Sequence, residues 1–274
     1  MNPALSKDPP IVDINEFQSW ILHEDDDVLV LDKPGWLVCH PSKNGPLSSL
    51  VGASKSYLNT ETLHLASRLD RETSGVVLLA KHRKSASYWQ KGIEQKTVRR
   101  NYLAILNGNL TQEKVVSNYL GKDPYSPVYV KQRVTDKSRK AKHAETLFSP
   151  LICKNNYTLC SVSTLTGRKH QIRIHAQWIN FPLVGDKLYG KDESIYLDFC
   201  STGWKEEWAD VLGMYRQALH GRFLIDIPSK DEFVADLPDD FLDFLTSAMK
   251  VKKQDISDSL LQSDKDFRAS LYEN

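Results

Sequence analysis

Apolar and polar positions alternate in short blocks along most of this chain, and each block predicts an element. DVLVLDKPGWLVCHPS (27–42) has two apolar runs split by Pro-Gly and predicts a β-hairpin. GVVLLAK (75–81) is apolar almost without a break, the pattern of a buried strand. KSASYWQKGIEQK (84–96) spaces Ala86, Trp89 and Ile93 three to four apart, as on a helix face. VRRNYLAILNG (98–108) predicts a strand closed by Asn-Gly, and the basic, poorly patterned 121–142 predicts a loop. AETLFSP (144–150) and YTLCSVSTLTG (157–167) predict strands. HQIRIHAQWIN (170–180) predicts a short helix with Ile172, Ala176 and Ile179 on one side. An irregular insertion is expected at 191–216, then a last strand, ALHGRFLIDIP (218–228), and a helix, PDDFLDFLTSAMK (238–250), with Pro at its start. The Pro-rich first ten residues are expected to be loose, and the charged segment after about residue 251 disordered.

Strands outnumber helices in this reading and do not alternate as strict βαβ units. The fold class expected is therefore mixed α/β, or α+β, around a largely antiparallel sheet with flanking helices. A length of 274 residues is enough for a sizeable core. No apolar run approaches the roughly 20 residues needed to cross a bilayer, and MNPALSKDPPIVD lacks the layout of a secretory leader. Four widely spaced cysteines (Cys39, Cys153, Cys160, Cys200) without a C-x-x-C pair suit reduced thiols, so the expected location is cytoplasmic. The net charge of +1 hides a division: residues 231–274 carry 5 Lys/Arg against 11 Asp/Glu, the preceding 230 residues 31 against 24. KQRVTDKSRKAK (131–142) has six basic residues and one acid, and GRKHQIRIH (167–175) has no acid. Each could be a solvated face; together they point to a polyanion partner.

Three stretches concentrate polar side chains beside predicted strands. In HLASRLDRETSG (64–75), Asp70 stands between two arginines just before the apolar run. A loop aspartate commonly accepts backbone N–H bonds in a turn, and that reading stays open for Asp70. In TVRRNYLAIL, Tyr102 interrupts an aliphatic strand, as a core tyrosine also would. In TGRKHQIRIHAQWINFPLVGD, His170 and His175 are five apart with no acid between them, which does not fit a helical zinc pair, and no metal site is expected. The remaining donors are Arg168, Lys169, Arg173 and the two imidazoles, interleaved with Ile172 and Ile174.

Taken in order, HLASRLDRETSGVVLLAK, RRNYLAILNG and TGRKHQIRIHAQWINFPLVGDKLYG, flanked by LDKPGWLVCHPS and ALHGRFLIDIP, strongly resemble the RluA-type pseudouridine synthases over roughly residues 25–245. The resemblance implies an isomerase that breaks the N1–C1′ bond of a uridine in structured RNA, turns the uracil and joins C5 to C1′, with no cofactor. It implies that Asp70 is the catalytic carboxylate, by covalent attack or by assisting loss of a proton near the sugar 2′ position. Arg173 matches the position of its ion-pair partner, and Tyr102 that of the tyrosine packing on the target uracil. Leu69 and Ile172 would be walls of the pocket. Arg68 would fill the stack left by a flipped base, and Arg168, Lys169 and His170 would contact RNA. Thr73, Ser74 and Gly75 would hold the loop tight.

One position departs from the family pattern: Ser67 stands where a histidine usually precedes Arg-Leu-Asp, which bears on RNA contacts and not on Asp70, Tyr102 or Arg173. The implied organisation is an N-terminal extension (1–24), a catalytic domain (25–250) without an S4 domain, and a charged tail (251–274). The expected partner is an RNA substrate, tRNA or 23S-type large-subunit rRNA, with no membrane and no obligate protein partner. Two other classes are weaker readings. An RNA-binding protein without turnover would have no reason to keep Asp70, Tyr102 and Arg173 together, and a nucleoside hydrolase lacks a visible acid–base pair.

Overall fold

The computed structural model describes residues 3–8, 10–40 and 45–272. The chain forms two compact units: Met1–Arg100 with Phe199–Lys205 and His220–Asp236, and Asn101–Asp198 with Glu206–Leu219 and Leu237–Asn274. Among the described residues, no helix is long and apolar enough to cross a membrane.

The first unit holds α1 (Ile14–Gln18), β1 (Ile21–Glu24), β2 (Val28–Lys33), α2 (Leu50–Leu58), β3 (His64–Leu65), β4 (Ser74–Ala80), α3 (Arg83–Glu94) and the start of β5 (Val98–Asn107). Late in the chain it gains most of β10 (Leu219–Asp226) and β11 (Glu232–Val234). Its strand order is β1-β2-β4-β10, with β3 on β4 and β11 on β10. Every pairing is antiparallel except β4 with β10, where His220 lies opposite Ser74 and Gly221 opposite Gly75. The unbroken apolar runs of β2 and β4 now have their reason. Leu29, Leu31, Val77 and Leu79 face one core with Phe17, Leu50 and Val51, while Val28, Val30, Val76 and Leu78 face another with Trp89 and Phe233. A strand covered on both faces has no polar side to show.

The second unit continues β5 and adds β6 (Lys114–Lys122), β7 (Gln132–Thr135), β8 (Lys142–Lys154), β9 (Tyr157–Thr164), α4 (Gln171–Trp178), most of α5 (Ser194–Thr202), α6 (Ala209–Leu212), α7 (Asp239–Ser247) and α8 (Lys253–Ser270). Its strands run β5-β9-β8-β6-β7, all antiparallel. Leu103, Ile105 and Leu159 pack against α7 and α8 through Phe241, Phe244, Leu245, Ile256 and Leu260. The opposite face carries α4, whose Ile174 meets Leu120, Ala144, Leu188 and Tyr189. A mixed fold with a largely antiparallel sheet and flanking helices is thus what the chain adopts.

Several elements differ from the sequence expectation. Residues 27–42 do not form a hairpin, because β2 takes β1 and β4 as its partners. The chain after β2 instead folds round the buried Lys33 ammonium, which donates to the carbonyls of Pro34 and Leu37 at 2.8 Å each; residues 41 and 42 of that stretch lie outside the described residues. The segment 121–142 is no loop: β7 closes a hairpin on β6, with Val128 buried beneath it. Its cations lie on aromatic faces, Lys122 Nζ 4.0 Å from the Tyr129 ring and Arg133 Cζ 4.9 Å from that of Tyr125. The insertion at 191–216 is largely helical, in α5, a short 3₁₀ turn and α6. The expected disordered tail is the 18-residue helix α8, burying Ile256, Leu260 and Phe267. The N-terminal residues 3–7 are ordered too, with a 3₁₀ turn at Pro3–Leu5 and Ala4 buried.

Candidate active site

The loop that carries Asp70 lies in the first unit, between β3 and β4, and ends where two strands almost touch. Gly75 has φ +110°, and a Cβ built there would meet Gly221 O at 2.2 Å. Only glycine fits both the backbone angle and that approach. Thr73 and Ser74 are buried, Ser74 Oγ is 2.9 Å from His220 Nδ1, and Thr73 N–H donates to Asp70 O across a turn at 3.2 Å. Leu69 and Asp70 are half-buried, as is Ser67, while Arg68 is exposed. Two further residues, not singled out by the sequence, hold the loop from inside. Lys33 Nζ donates to Arg71 O at 3.0 Å, and Cys39 Sγ lies 3.4 Å from Leu69 O. Burial pushes the Cys39 thiol pKa up, only partly offset by the Lys33 charge.

In the second unit, strand register fixes which face Tyr102 occupies. Tyr102 pairs with Val162, and Val162 with Phe148. Phe148 shares its face of β8 with Ala144 and Thr146, onto which α4 packs through Ile174 and His175. Tyr102, Ile172, Arg173 and His170 are therefore gathered on one side of this sheet, with Tyr102 and Ile172 buried.

Arg173 is buried, and its Nε and Nη2 donate to the two oxygens of Asp186 at 2.7 and 2.8 Å. Such a two-pronged bond fixes the plane of the guanidinium as well as its position. Asp186 is itself held, since Oδ1 accepts the N–H groups of Leu188 and Tyr189 at 2.9 Å each. Burial raises the Asp186 pKa, but the Arg173 charge and these donors outweigh it and keep the carboxyl below the usual range. The Arg173 guanidinium also lies 4.9 Å from the Tyr189 ring, whose hydroxyl is 2.9 Å from His170 Nδ1. His170 has a left-handed backbone (φ +56°) immediately before α4, a conformation a non-glycine residue holds only when its surroundings insist. Asp186 and Tyr189 were missed in the sequence, although the Asp-x-Leu-Tyr run after Gly185 is the pattern of an aspartate capping the next turn.

Arg168 and Lys169 are exposed on the turn before α4, where Arg168 Nε donates to His143 O at 2.8 Å. In the other basic stretch Lys137, Arg139, Lys140 and Lys142 are exposed, whereas Lys131 is held by Glu193 at 2.7 Å.

His175 is fully buried between Thr146 Oγ1 (2.9 Å) and Asn118 Oδ1 (3.0 Å), so its two ring nitrogens have structural partners. Burial, and to a smaller extent the neighbouring His143, push its pKa down to about 4. The unfolded chain takes up that proton near pH 6.5, so below this pH the unfolded state binds more protons. The stability contribution is complete above about pH 6.5 and is lost as pH falls toward 4. Urea titrations between pH 7 and 4 are expected to show this loss, and His175→Gln to flatten it; an identical slope in the variant would assign the acid sensitivity elsewhere.

Comparison with known proteins fits this arrangement. Residues 27–178 match the family described as RNA pseudouridylate synthase. An RNA pseudouridine synthase of Mycoplasma pneumoniae is 35% identical over 249 residues, 87% of this chain and 73% of that protein. The ribosomal large subunit pseudouridine synthase D of Haemophilus ducreyi is 30% identical over 88% of this chain and 73% of its own length. The structure of human RNA pseudouridylate synthase domain containing 4 aligns with TM-score 0.66 and 25% identity, covering 86% of this chain and 95% of that one. Agreement in sequence, in fold and over most of the length of these proteins leaves one conclusion: this chain belongs to the RNA pseudouridylate synthase family, isomerases that convert uridine to pseudouridine in RNA.

Proposed function

We propose that this isomerase acts on a uridine of large-subunit ribosomal RNA, with Asp70 as its catalytic carboxylate. The supporting observation is the Arg173–Asp186 pair, a buried, doubly bonded guanidinium on the sheet face that also carries Tyr102. An arginine fixed in this way is prepared to hold an anion in place. Asp186 occupies the Nε–Nη2 edge, and what joins Arg173 to Asp70 in this reading is the family resemblance, which matches Arg173 to the ion-pair partner of the catalytic aspartate. Both covalent attack at C1′ and removal of a sugar proton require Asp70 ionised in a site that excludes water. The N1–C1′ bond breaks, the uracil turns with its ring packed on Tyr102, C5 bonds to C1′, and the C5 proton leaves as N1 takes one up. Atoms and charge balance without a cofactor. The large-subunit target follows the name of the Haemophilus relative. Exposed Lys137, Arg139, Lys140, Lys142, Arg168 and Lys169 contact its phosphates.

The test is to treat large-subunit rRNA and tRNA, both transcribed without modification, and to locate pseudouridine in each. A product in tRNA alone would overturn the target. Arg68 supplies a finer test of base extrusion. If it fills the gap left by the flipped base, Arg68→Ala slows single-turnover conversion of a uridine in a folded stem about tenfold or more, and barely affects the same uridine in an unstructured oligonucleotide. A phosphate contact would weaken both by a similar factor, so equal losses would remove the flipping role.

A further inference from the structure

We propose that Arg71 is a positioning residue, and that through it the N-terminal segment Pro3–Lys7 acts as a strap holding the Asp70 loop in its working geometry. This rests on the reading of Asp70 as the catalytic carboxylate. The Arg71 side chain gives three N–H groups to backbone carbonyls from two distant segments: Nε to Trp36 O at 3.1 Å, Nη1 to Lys7 O at 2.6 Å and Nη2 to Ser6 O at 2.5 Å. Its guanidinium also lies 5.6 Å from the Phe199 ring centroid. The strap has anchors of its own. Leu5 O accepts the Trp204 N–H at 3.0 Å, and Lys7 Nζ donates to Ser201 O at 3.0 Å.

The loop is thus tied from two sides. On the core side the carbonyls of Leu69 and Arg71 are held by Cys39 and the buried Lys33 ammonium. On the other side the Arg71 side chain reaches the strap. Asp70 stands between two residues whose backbones are fixed, and Thr73 closes the turn onto its carbonyl. A carboxylate acting at one carbon of a flipped nucleotide tolerates little displacement, since a misplacement of about 1 Å can cost about 100-fold in rate. The three carbonyls face a planar fork, which a lysine ammonium cannot reproduce. Because the strap contributes backbone oxygens, its sequence matters less than its presence.

Two changes test this, Arg71→Ala and deletion of residues 3–8. Each is expected to lower kcat roughly 10- to 100-fold with KM for RNA changed less than about threefold. Made together, they should cost no more than either alone, because both break the same link. Hydrogen exchange at the amides of 68–75 should quicken in each, and Arg71→Lys should restore neither reading. Multiplying effects in the double variant, or unchanged kcat in Arg71→Ala, would overturn the proposal. Should the deletion fail to fold, Arg71→Ala with an unchanged melting temperature carries the test, and unaltered exchange at 68–75 overturns the strap on its own. Asp70→Asn is run alongside: full activity there would fault the reading of Asp70, while the exchange experiment still decides the strap.

Discussion

Asp70→Asn is expected to reduce isomerisation by at least about 1,000-fold while RNA affinity stays within a few-fold. Asparagine keeps the size of the side chain, removes the charge and replaces one acceptor oxygen with an amide donor. In the proposed reading, binding draws on the exposed lysines and arginines, which the substitution leaves alone, and chemistry at C1′ draws on the carboxylate. Since C5 must lose its hydrogen, RNA tritiated at uridine C5 reports turnover by release of tritium, and filter binding reports affinity. Turnover near the wild-type level would end the assignment of Asp70. Loss of binding in parallel with turnover would mean that the aspartate supports the fold or the RNA contact and not the reaction.

The second large effect concerns stability. Asp186→Ala leaves the Arg173 guanidinium buried without the carboxylate that takes two of its N–H groups, and also uncaps Leu188 and Tyr189. Removing one partner of a buried ion pair costs about 3–5 kcal/mol, which in a chain of this size lowers the melting temperature on the order of 10 °C. The partly exposed pair of Lys81 with Glu24, 2.8 Å apart, is a useful contrast, because Glu24→Ala should cost no more than about 1 kcal/mol. Calorimetry on both variants checks the ranking. Equal small losses would show that Arg173 finds another partner, or water, when Asp186 is gone.

What could be read from the sequence depended on how local the controlling physics was. β4, β5, β9, α3 and α4 were visible because each carries a local signal, an apolar run bounded by turn residues for the strands and a helical spacing for the helices. α8 was not. Its apolar residues Ile256, Leu260 and Phe267 keep a helical spacing, but they are diluted among so many charges that composition suggested disorder. The hairpin expected at 27–42 failed because strand partners are chosen by the sheet: β2 is claimed by β1 and β4, and no local signal in the Pro-Gly turn reveals this. For the candidate site, resemblance singled out Arg173 and Tyr102, and register placed them on one face. Asp186, 13 residues beyond Arg173, escaped because a bond between a helix and a later turn leaves no periodic trace.

The face on which Tyr102 stands is decided by counting along β5. Its neighbour Leu103 points into the opposite core, against α7 and α8. Adding or removing one residue between Val98 and Tyr102 with the start of β5 held in place would slip the strand by one against β9 and exchange the two, burying a phenol among leucines and taking the tyrosine away from α4. Related chains should therefore vary in length at the turn between β5 and β6, where 111–113 are exposed, and hardly at all in the five residues from Val98 to Tyr102. In this protein the spacing along a strand decides which of two cores each side chain serves.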